Sequence, residues 1–209
     1  MFLLYLEVIY LKKNTVKQYR LGDLVSFEQG VNSARAEKQY GLVNVIYYDQ
    51  ASFEKDYNHE DGFVEGIENL SFNDYSLNEG DVIISNALQQ ATMVGTENAG
   101  KVPSINFTKV NFRDDIIDKK YFLYLFNNHS SLKRQKEREV QGNIIPKIPI
   151  KALNGLIVPI VSKDEQIKIG QIYTDTLKLK AKLIRYSELI EQFTNSVLEK
   201  TLKEDKNRE

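Results

Sequence analysis

Polar side chains that suit nucleic-acid contacts are concentrated in two segments that the sequence predicts to be loops. The segment "SNALQQATMVGTENAGK" (85–101) follows an apolar strand pattern and supplies Asn86, Gln89, Gln90, Thr92 and Lys101. The segment "QGVNSARAEKQ" (29–39) adds Asn32, Ser33, Arg35 and Lys38. Asn and Gln amides can pair with adenine edges in a major groove, and Arg can pair with guanine. We therefore expect base contacts from these loops, with a solvated loop side chain as the alternative at each position.

Charge is distributed unevenly along a chain whose formal net charge is only −1. Residues 119–151 contain eight bases and two acids, a net of +6, whereas residues 47–81 contain ten acids and one base, a net of −9. A basic face can therefore exist on a nearly neutral chain. Phosphate contacts, which position a protein without reading sequence, are expected from Lys133, Arg134, Lys136, Arg138 and Lys147, with Asn143 in the same region. The alternative is two solvated surfaces of opposite sign.

Catalytic signatures are missing from the sequence. There is no phosphate-binding loop, no HExxH, no GxSxG, no Asn/Asp-Pro-Pro-aromatic stretch and no cysteine. His59 and His129 have polar sequence neighbours, so we predict them to be surface loop residues. We expect no catalytic residue, no metal site and no cofactor bound by this chain. An unfamiliar metal-dependent acidic site within residues 49–81 stays open as an alternative.

The pattern along residues 1–161 predicts one mixed α+β domain. A short helix or turn leads into a strand over residues 19–30, strands follow at 41–48 and within 79–87, and a helix covers 118–139. The acidic stretch after residue 48 is predicted as loops with one or two short strands, and a turn at 150–153 precedes a final strand. The apolar start "MFLLYLEVIYL" is too short to span a bilayer and is expected to pack on the body, with an anchor as the alternative. The absence of cysteine fits a cytoplasmic location.

A long helix is predicted from Asp164 to about Lys203, roughly 60 Å in length at 1.5 Å per residue. Spacings of three and four residues connect Ile169, Ile172, Thr176, Leu179, Leu183, Tyr186, Ile190, Phe193 and Val197. This is the pattern of a coiled-coil seam. A body of this size has a radius of gyration near 15 Å, too small to cover the whole helix. We therefore expect a second chain to cover the seam of this helical domain (162–205), followed by a disordered tail (206–209).

The order of these features resembles the specificity subunit of type I restriction-modification systems. The resemblance extends from about Tyr19 to Lys203 through "LGDLVSFEQG", "EGDVIIS", "YFLYLFNN" and "QGNIIPKI". Its most specific part comprises Pro159, Ile160, Glu165, Gln166 and Ile169. The family has two recognition domains whose helices pair antiparallel, whereas this chain has one such unit and resembles the half-length members.

The resemblance implies a non-catalytic subunit that reads double-stranded DNA with its target recognition domain. It also implies a homodimer that recognises a bipartite palindromic site. The implied partners are a methyltransferase subunit, which carries S-adenosylmethionine and modifies adenine, and an ATP- and Mg-dependent restriction subunit. A coiled-coil interaction adaptor that does not bind DNA is the alternative.

Overall fold

The computed structural model describes residues 16–32, 36, 38, 41, 44–58, 74–140 and 148–206. The strands are β1 (Lys17–Arg20), β2 (Val25–Gln29), β3 (Tyr47–Tyr48), β4 (Val82–Ser85), β5 (Gln90–Met93), β6 (Val102–Pro103), β7 (Phe107–Phe112) and β8 (Ile157–Ile160). The helices are α1 (Leu21–Leu24), α2 (Gln50–Tyr57), α3 (Lys119–Asn128), α4 (Ser130–Val140), α5 (Ile150–Gly155) and α6 (Lys163–Lys206). Short 3-10 turns lie at Thr96–Asn98 and Asp114–Ile116.

A four-stranded antiparallel sheet, in the order β2-β7-β4-β5, separates two hydrophobic cores. All four residues of β4 are buried, and successive side chains of a strand point to opposite faces. Accordingly, Val82 and Ile84 belong to the main core, whereas Ile83 belongs to a second core with Tyr48, Phe53 and Phe107. Helix α3 covers the main core, and helix α2 lies on the other side.

Strand β1 pairs antiparallel with β8, and this small sheet joins the start of the described domain to the base of α6. The Leu21 N–H donates to the Leu156 carbonyl at 2.8 Å, which extends the same connection into α1. Val158 and Leu156 are both buried in the main core. The long helix therefore leaves the domain directly from a buried strand.

The first four turns of α6 pack against α3. The Gln166 side chain is 1% exposed and bonds three backbone groups, accepting from Asp118 N and donating to Ile116 O and Val161 O. Four residues later, Gly170 lies so close to α3 that a Cβ there would be 2.7 Å from Tyr121 N. The buried Tyr173 ring completes this contact. These three residues fix the direction in which α6 leaves the domain.

Beyond Leu177, helix α6 extends away from the body. Among the described side chains from 178 to 201, Ala181 is half-buried and the others are exposed. Large apolar side chains lie along this part, with exposures of 58% for Leu179, 67% for Ile190 and 71% for Phe193. No helix within the described ranges is both long and apolar enough to cross a membrane.

The α+β fold class and the long C-terminal helix are confirmed, and α6 extends slightly beyond its predicted bounds. The predicted helix over 118–139 is wrong as one element, because His129 adopts an extended backbone (φ −67°, ψ 123°) between α3 and α4. Residues 50–57, predicted as loops, form α2, which begins where the Asp49 carboxylate accepts from Ser52 N. The predicted strand over 41–48 is limited, among its described residues, to Tyr47–Tyr48.

Several expectations lie wholly or partly outside the described residues. The apolar segment 1–11, His59 and residues 207–209 of the expected tail are among them. Lys206, also expected in that tail, is the last residue of α6. The division between a recognition domain and a helical domain at residues 161 and 162 stays a prediction.

Candidate nucleic-acid interface

One end of the four-stranded sheet collects the turns that the sequence predicts to contact bases. Strand β4 ends opposite the start of β5 and the start of β7, and β2 ends beside β7. The end of β2 at Gln29, residues 86–90 and residues 104–106 therefore lie together, and we call this set the loop edge. A hydrogen bond from Asn86 N to Asn106 O at 3.0 Å joins the two turns.

Amide side chains hold the loop edge in one conformation. Asn86 is 7% exposed, donates to the Ile105 carbonyl at 3.3 Å and accepts from Thr108 Oγ1 at 2.8 Å. The Gln29 amide donates to the same Ile105 carbonyl at 3.1 Å. A buried amide whose nitrogen and oxygen are both bonded in this way stabilises the turn and does not face solvent, where a base would lie. Asn86, expected to contact bases, therefore has a supporting position.

Lys136 is buried on α4 and binds the tip of the β4–β5 turn. Its ammonium is 2.7 Å from both the Gln89 and Phe126 carbonyl oxygens and 4.1 Å from the centroid of the Phe126 ring. Burial, which disfavours the charged form, lowers the pKa of Lys136 to about 8, and the positive charge of Lys133 acts in the same direction. Only 4% of the residue is exposed, so its expected phosphate contact does not fit this position.

The other residues expected to contact bases occupy different environments. Gln89 and Gln90 are half-buried at the loop edge, and Gln90 Oε1 accepts from the Tyr57 hydroxyl at 3.2 Å. Thr92 is 2% exposed inside β5, which removes it from any groove. Lys101 donates to Ser52 Oγ at 2.9 Å and Asn98 Oδ1 at 2.7 Å, beside α2.

Two of the four predicted site residues in the first loop are described, and four site residues of the whole chain are not. Asn32 is half-buried just after β2, and Lys38 is exposed. Ser33, Arg35, Asn143 and Lys147 lie outside the described residues. Their proposed DNA contacts stay predictions.

Helix α4 presents three of the predicted phosphate-binding cations to solvent. Lys133, Arg134 and Arg138 are exposed, whereas Leu132 and Lys136 face the body. None of these three exposed cations belongs to an ion pair within the described part of the chain. Since Lys136 bonds the Gln89 carbonyl, the helix that carries these cations packs against the loop edge through its opposite, buried side.

His129 connects α3 to α4 outside any helix, as predicted for a loop residue, and it is half-buried there. Its backbone N–H donates to the carbonyls of Tyr124 and Leu125 at 3.2 Å, ending α3. Burial, followed by the positive charge of Arg134, lowers the pKa of His129 below its usual value. The imidazole packs edge-on against the Tyr124 ring. These contacts give His129 a structural position at the helix junction.

Sequence reasoning missed Leu88 and Ile105, because it searched the loops for polar side chains with direct readout, and it did not single out Gln29, whose amide supports the loop edge. The two apolar residues are 48% and 42% exposed at the loop edge. The available signal was the position of Leu88 within "SNALQQ", where an apolar residue interrupts a polar turn after a buried strand.

The exposed stripe of α6 contains most of the predicted seam. Ile172, Leu179, Leu183, Tyr186 and Val197 range from 45% to 68% exposed. Ile169 is an exception, because it is half-buried and packs against the main core. The seam therefore begins near Ile172, and its pairing with a second chain stays a prediction.

The fold was compared with those of known proteins. No protein-family model and no curated protein matches the chain. The HsdS subunit from Thermoanaerobacter tengcongensis aligns with a TM-score of 0.51 and 14% identity, covering 84% of this chain and 40% of that one. A chain from a structure concerning complex assembly and conformational transition of the type I R-M system gives a TM-score of 0.55 and 15% identity, covering 85% and 41%.

The chain has the fold of a type I restriction-modification S subunit. It spans about 40% of the length of those solved chains, which fits a half-length form with one domain and one long helix. In this S-subunit fold, the loop edge belongs to the globular domain, and the apolar stripe belongs to α6.

Proposed function

We propose that this chain is the DNA-recognition subunit of a type I restriction-modification complex. Two copies pair through α6, and each domain reads one half of a bipartite palindromic site. The chain itself is non-catalytic. It positions a methyltransferase subunit, which binds S-adenosylmethionine, and a restriction subunit, which binds ATP and Mg. Two findings support this proposal: the similarity of the fold to solved S subunits, and the share of about 40% of those chains that this chain covers.

The observation that carries the proposal is a single globular domain rigidly joined to a helix too long for it to cover. Helix α6 has 44 residues, which corresponds to about 66 Å. Its base is fixed by Gln166, whose side chain bonds three backbone groups. A rigid rod of this kind is suited to setting the distance between two recognition domains.

The DNA contacts divide into two groups in this proposal. Gln89, Gln90, Asn32 and Lys38 contact base edges, together with Ser33 and Arg35. Lys133, Arg134 and Arg138 contact phosphates, together with Asn143 and Lys147. Asn86 and Lys136 support the β4–β5 turn because their polar atoms are already bonded. Lys101 and Thr92 have internal roles.

The test is the salt dependence of duplex binding by the full chain. Each lost phosphate contact reduces the slope of log K against log salt by about one. We expect Lys133→Ala, Arg134→Ala and Arg138→Ala together to weaken binding to all duplexes and reduce the slope by about two to three. Fluorescence anisotropy between low and moderate salt measures both quantities.

The matched control removes three lysines from the projecting part of α6. Lys178, Lys180 and Lys182 are equally exposed, so Lys178→Ala, Lys180→Ala and Lys182→Ala change the net charge by the same amount. An equal loss of slope in both triple variants would assign the effect to net charge and not to α4. No duplex binding by the wild type would favour the interaction adaptor, and Mg-dependent cleavage by the chain alone would favour an enzyme.

A further inference from the structure

Two apolar side chains lie exposed at the loop edge among amide groups. Leu88 is 48% exposed in the β4–β5 turn, and Ile105 is 42% exposed in the turn before β7. The backbone bond from Asn86 N to Asn106 O places the two turns side by side. Isolated exposed apolar residues are common on protein surfaces, so exposure alone indicates no function.

The backbone at Leu88 is fixed from three sides. Leu88 N donates to Ser85 Oγ at 3.3 Å, and Gln89 N donates to the Ser85 carbonyl at 2.8 Å. Gln89 adopts a left-handed backbone with φ of 55°, a conformation that residues with a side chain rarely adopt. The buried Lys136 ammonium then bonds the Gln89 carbonyl. The turn therefore presents Leu88 to solvent through several specific bonds.

The backbone at Ile105 is fixed by two amides. Its carbonyl accepts from Gln29 Nε2 at 3.1 Å and from Asn86 Nδ2 at 3.3 Å. The Phe107 N–H, which donates to the Ser104 carbonyl at 2.9 Å, closes the same turn. Moving Ile105 into the core would break both amide bonds. Its exposure is thus imposed by the turn.

The surroundings of these two side chains indicate the chemistry of their partner. A specific protein interface buries on the order of 1,000 Å² or more, with an apolar centre. Two apolar residues among the amides of Gln29, Gln89 and Gln90, next to a helix with an exposed basic face, do not form such a centre. These two apolar side chains and their neighbouring amides better match a methyl group flanked by hydrogen-bonding base edges. In the major groove, the C5-methyl group of thymine has such surroundings.

We propose that Leu88 and Ile105 are specificity residues that contact the C5-methyl groups of thymines in the major groove. The inference rests on the proposed function, since it requires the loop edge to enter DNA. The amides of Gln89 and Gln90 contact neighbouring base edges, while the two apolar side chains distinguish thymine from cytosine. The ligand is therefore a thymine-containing half-site.

The experiment uses uracil, which is thymine without the methyl group. The full chain with its methyltransferase subunit first selects its preferred duplex from a random pool, and each thymine of that duplex is then replaced singly by uracil. We expect the wild type to lose about fourfold in affinity at the contacted thymines, as for removal of one buried methyl group. Leu88→Ala should be insensitive to uracil at one of these positions, and Ile105→Ala at another.

Ile116→Ala is the matched control, because Ile116 is 43% exposed and lies beside the base of α6. It should keep the full uracil sensitivity of the wild type. A selected site without thymine, or specific binding that no uracil weakens, would overturn the inference and leave the proposed function intact. Uracil sensitivity that persists in both alanine variants would assign the methyl contacts to other residues and also overturn it. A wild-type complex that selects no preferred duplex would refute the proposed function together with the inference.

Discussion

Lys136 shows how burial changes the role of a charged residue. Its ammonium is removed from water and compensated by two carbonyl oxygens and one aromatic face. No acidic side chain contacts it among the hydrogen bonds and ion pairs of the described residues. The positive charge is therefore held at a cost in desolvation, which fixes the turn that carries Leu88 and Gln89.

The stability of the protein should depend on pH through this lysine. The pKa of Lys136 is lowered to about 8 in the folded chain, whereas an unfolded lysine titrates at about 10.4. Below pH 8, Lys136 is protonated in both the folded and the unfolded chain, so the folded chain bears the full desolvation cost of the buried charge. Between pH 8 and 10.4 the unfolded state binds more protons, so the free energy of unfolding rises with pH.

We expect the wild type to gain about 2 kcal/mol relative to Lys136→Met between pH 7 and pH 9.5. Urea denaturation at fixed temperature measures this difference. The pKa of Tyr121 is raised to about 12 by burial, so this residue acts only at higher pH. Parallel stability profiles for the two proteins would contradict the assignment.

The residue types in the sequence indicated where polar side chains would gather, but they did not indicate which of those side chains would be exposed. Gln89 and Gln90 do lie at the loop edge, as the amide-rich segment suggested. Thr92 and Lys136, of equally suitable type, are buried, because strand alternation and helix packing turn them inward. Local composition carries no information on that packing. Exposed apolar residues such as Leu88 were missed because only polar side chains were considered as contacts.

At the scale of elements, the crossing of α3 and α6 determines where the rod points. Gly170 permits the two helices to approach, because a Cβ would lie 2.7 Å from Tyr121 N and 2.9 Å from the Lys120 carbonyl carbon. Asn127 adds a link from the β5 backbone at Ala91 to the Tyr173 hydroxyl at 3.1 Å. The loop edge and the rod are thus joined through α3.

Gly170→Ala should destabilise the domain, although alanine ordinarily stabilises a helix interior relative to glycine by about 1 kcal/mol. The backbone of α3 cannot move aside as a flexible side chain would, so we expect a loss of about 1–3 kcal/mol from overpacking. Urea denaturation measures the change. Ser196→Ala, in the exposed part of α6, is the control and should be neutral within about 0.5 kcal/mol. A stabilised Gly170→Ala variant would show that the two helices can separate without cost.

Periodicity predicted the existence of most elements but not their junctions. The three-four spacing after residue 163 gave α6, and the apolar run at Val82–Ser85 gave β4. The break at His129 follows from tertiary packing, since α3 and α4 contact different parts of the body. Helix α2 escaped prediction because its mean composition is polar, and its stability comes from the buried Phe53 and Asp56.

At the scale of the whole molecule, helix α6 with its apolar stripe holds most of the large apolar side chains that are exposed in the described part of the chain. Burying a Leu, Ile or Phe side chain contributes about 1.5–3 kcal/mol, so several such residues favour association. A two-fold pair buries the same stripe on both chains, and antiparallel helices would place the domains at opposite ends. Leu179→Glu with Leu183→Glu should therefore give a folded monomer that no longer supports methylation by the complex.

Multi-angle light scattering at tens of micromolar distinguishes dimer from monomer, and circular dichroism checks folding. Gln192→Glu with Asn195→Glu adds the same two negative charges to α6 outside the seam, so this control should stay dimeric and active. Equal dissociation of both variants would point to charge repulsion along the rod and not to the apolar stripe. A monomeric wild type would contradict the homodimer. The apolar stripe would then be expected to bind a helix of a partner subunit, because an exposed seam of this length still favours association with another helix. The spacing of the half-sites would then be set by that partner and not by α6.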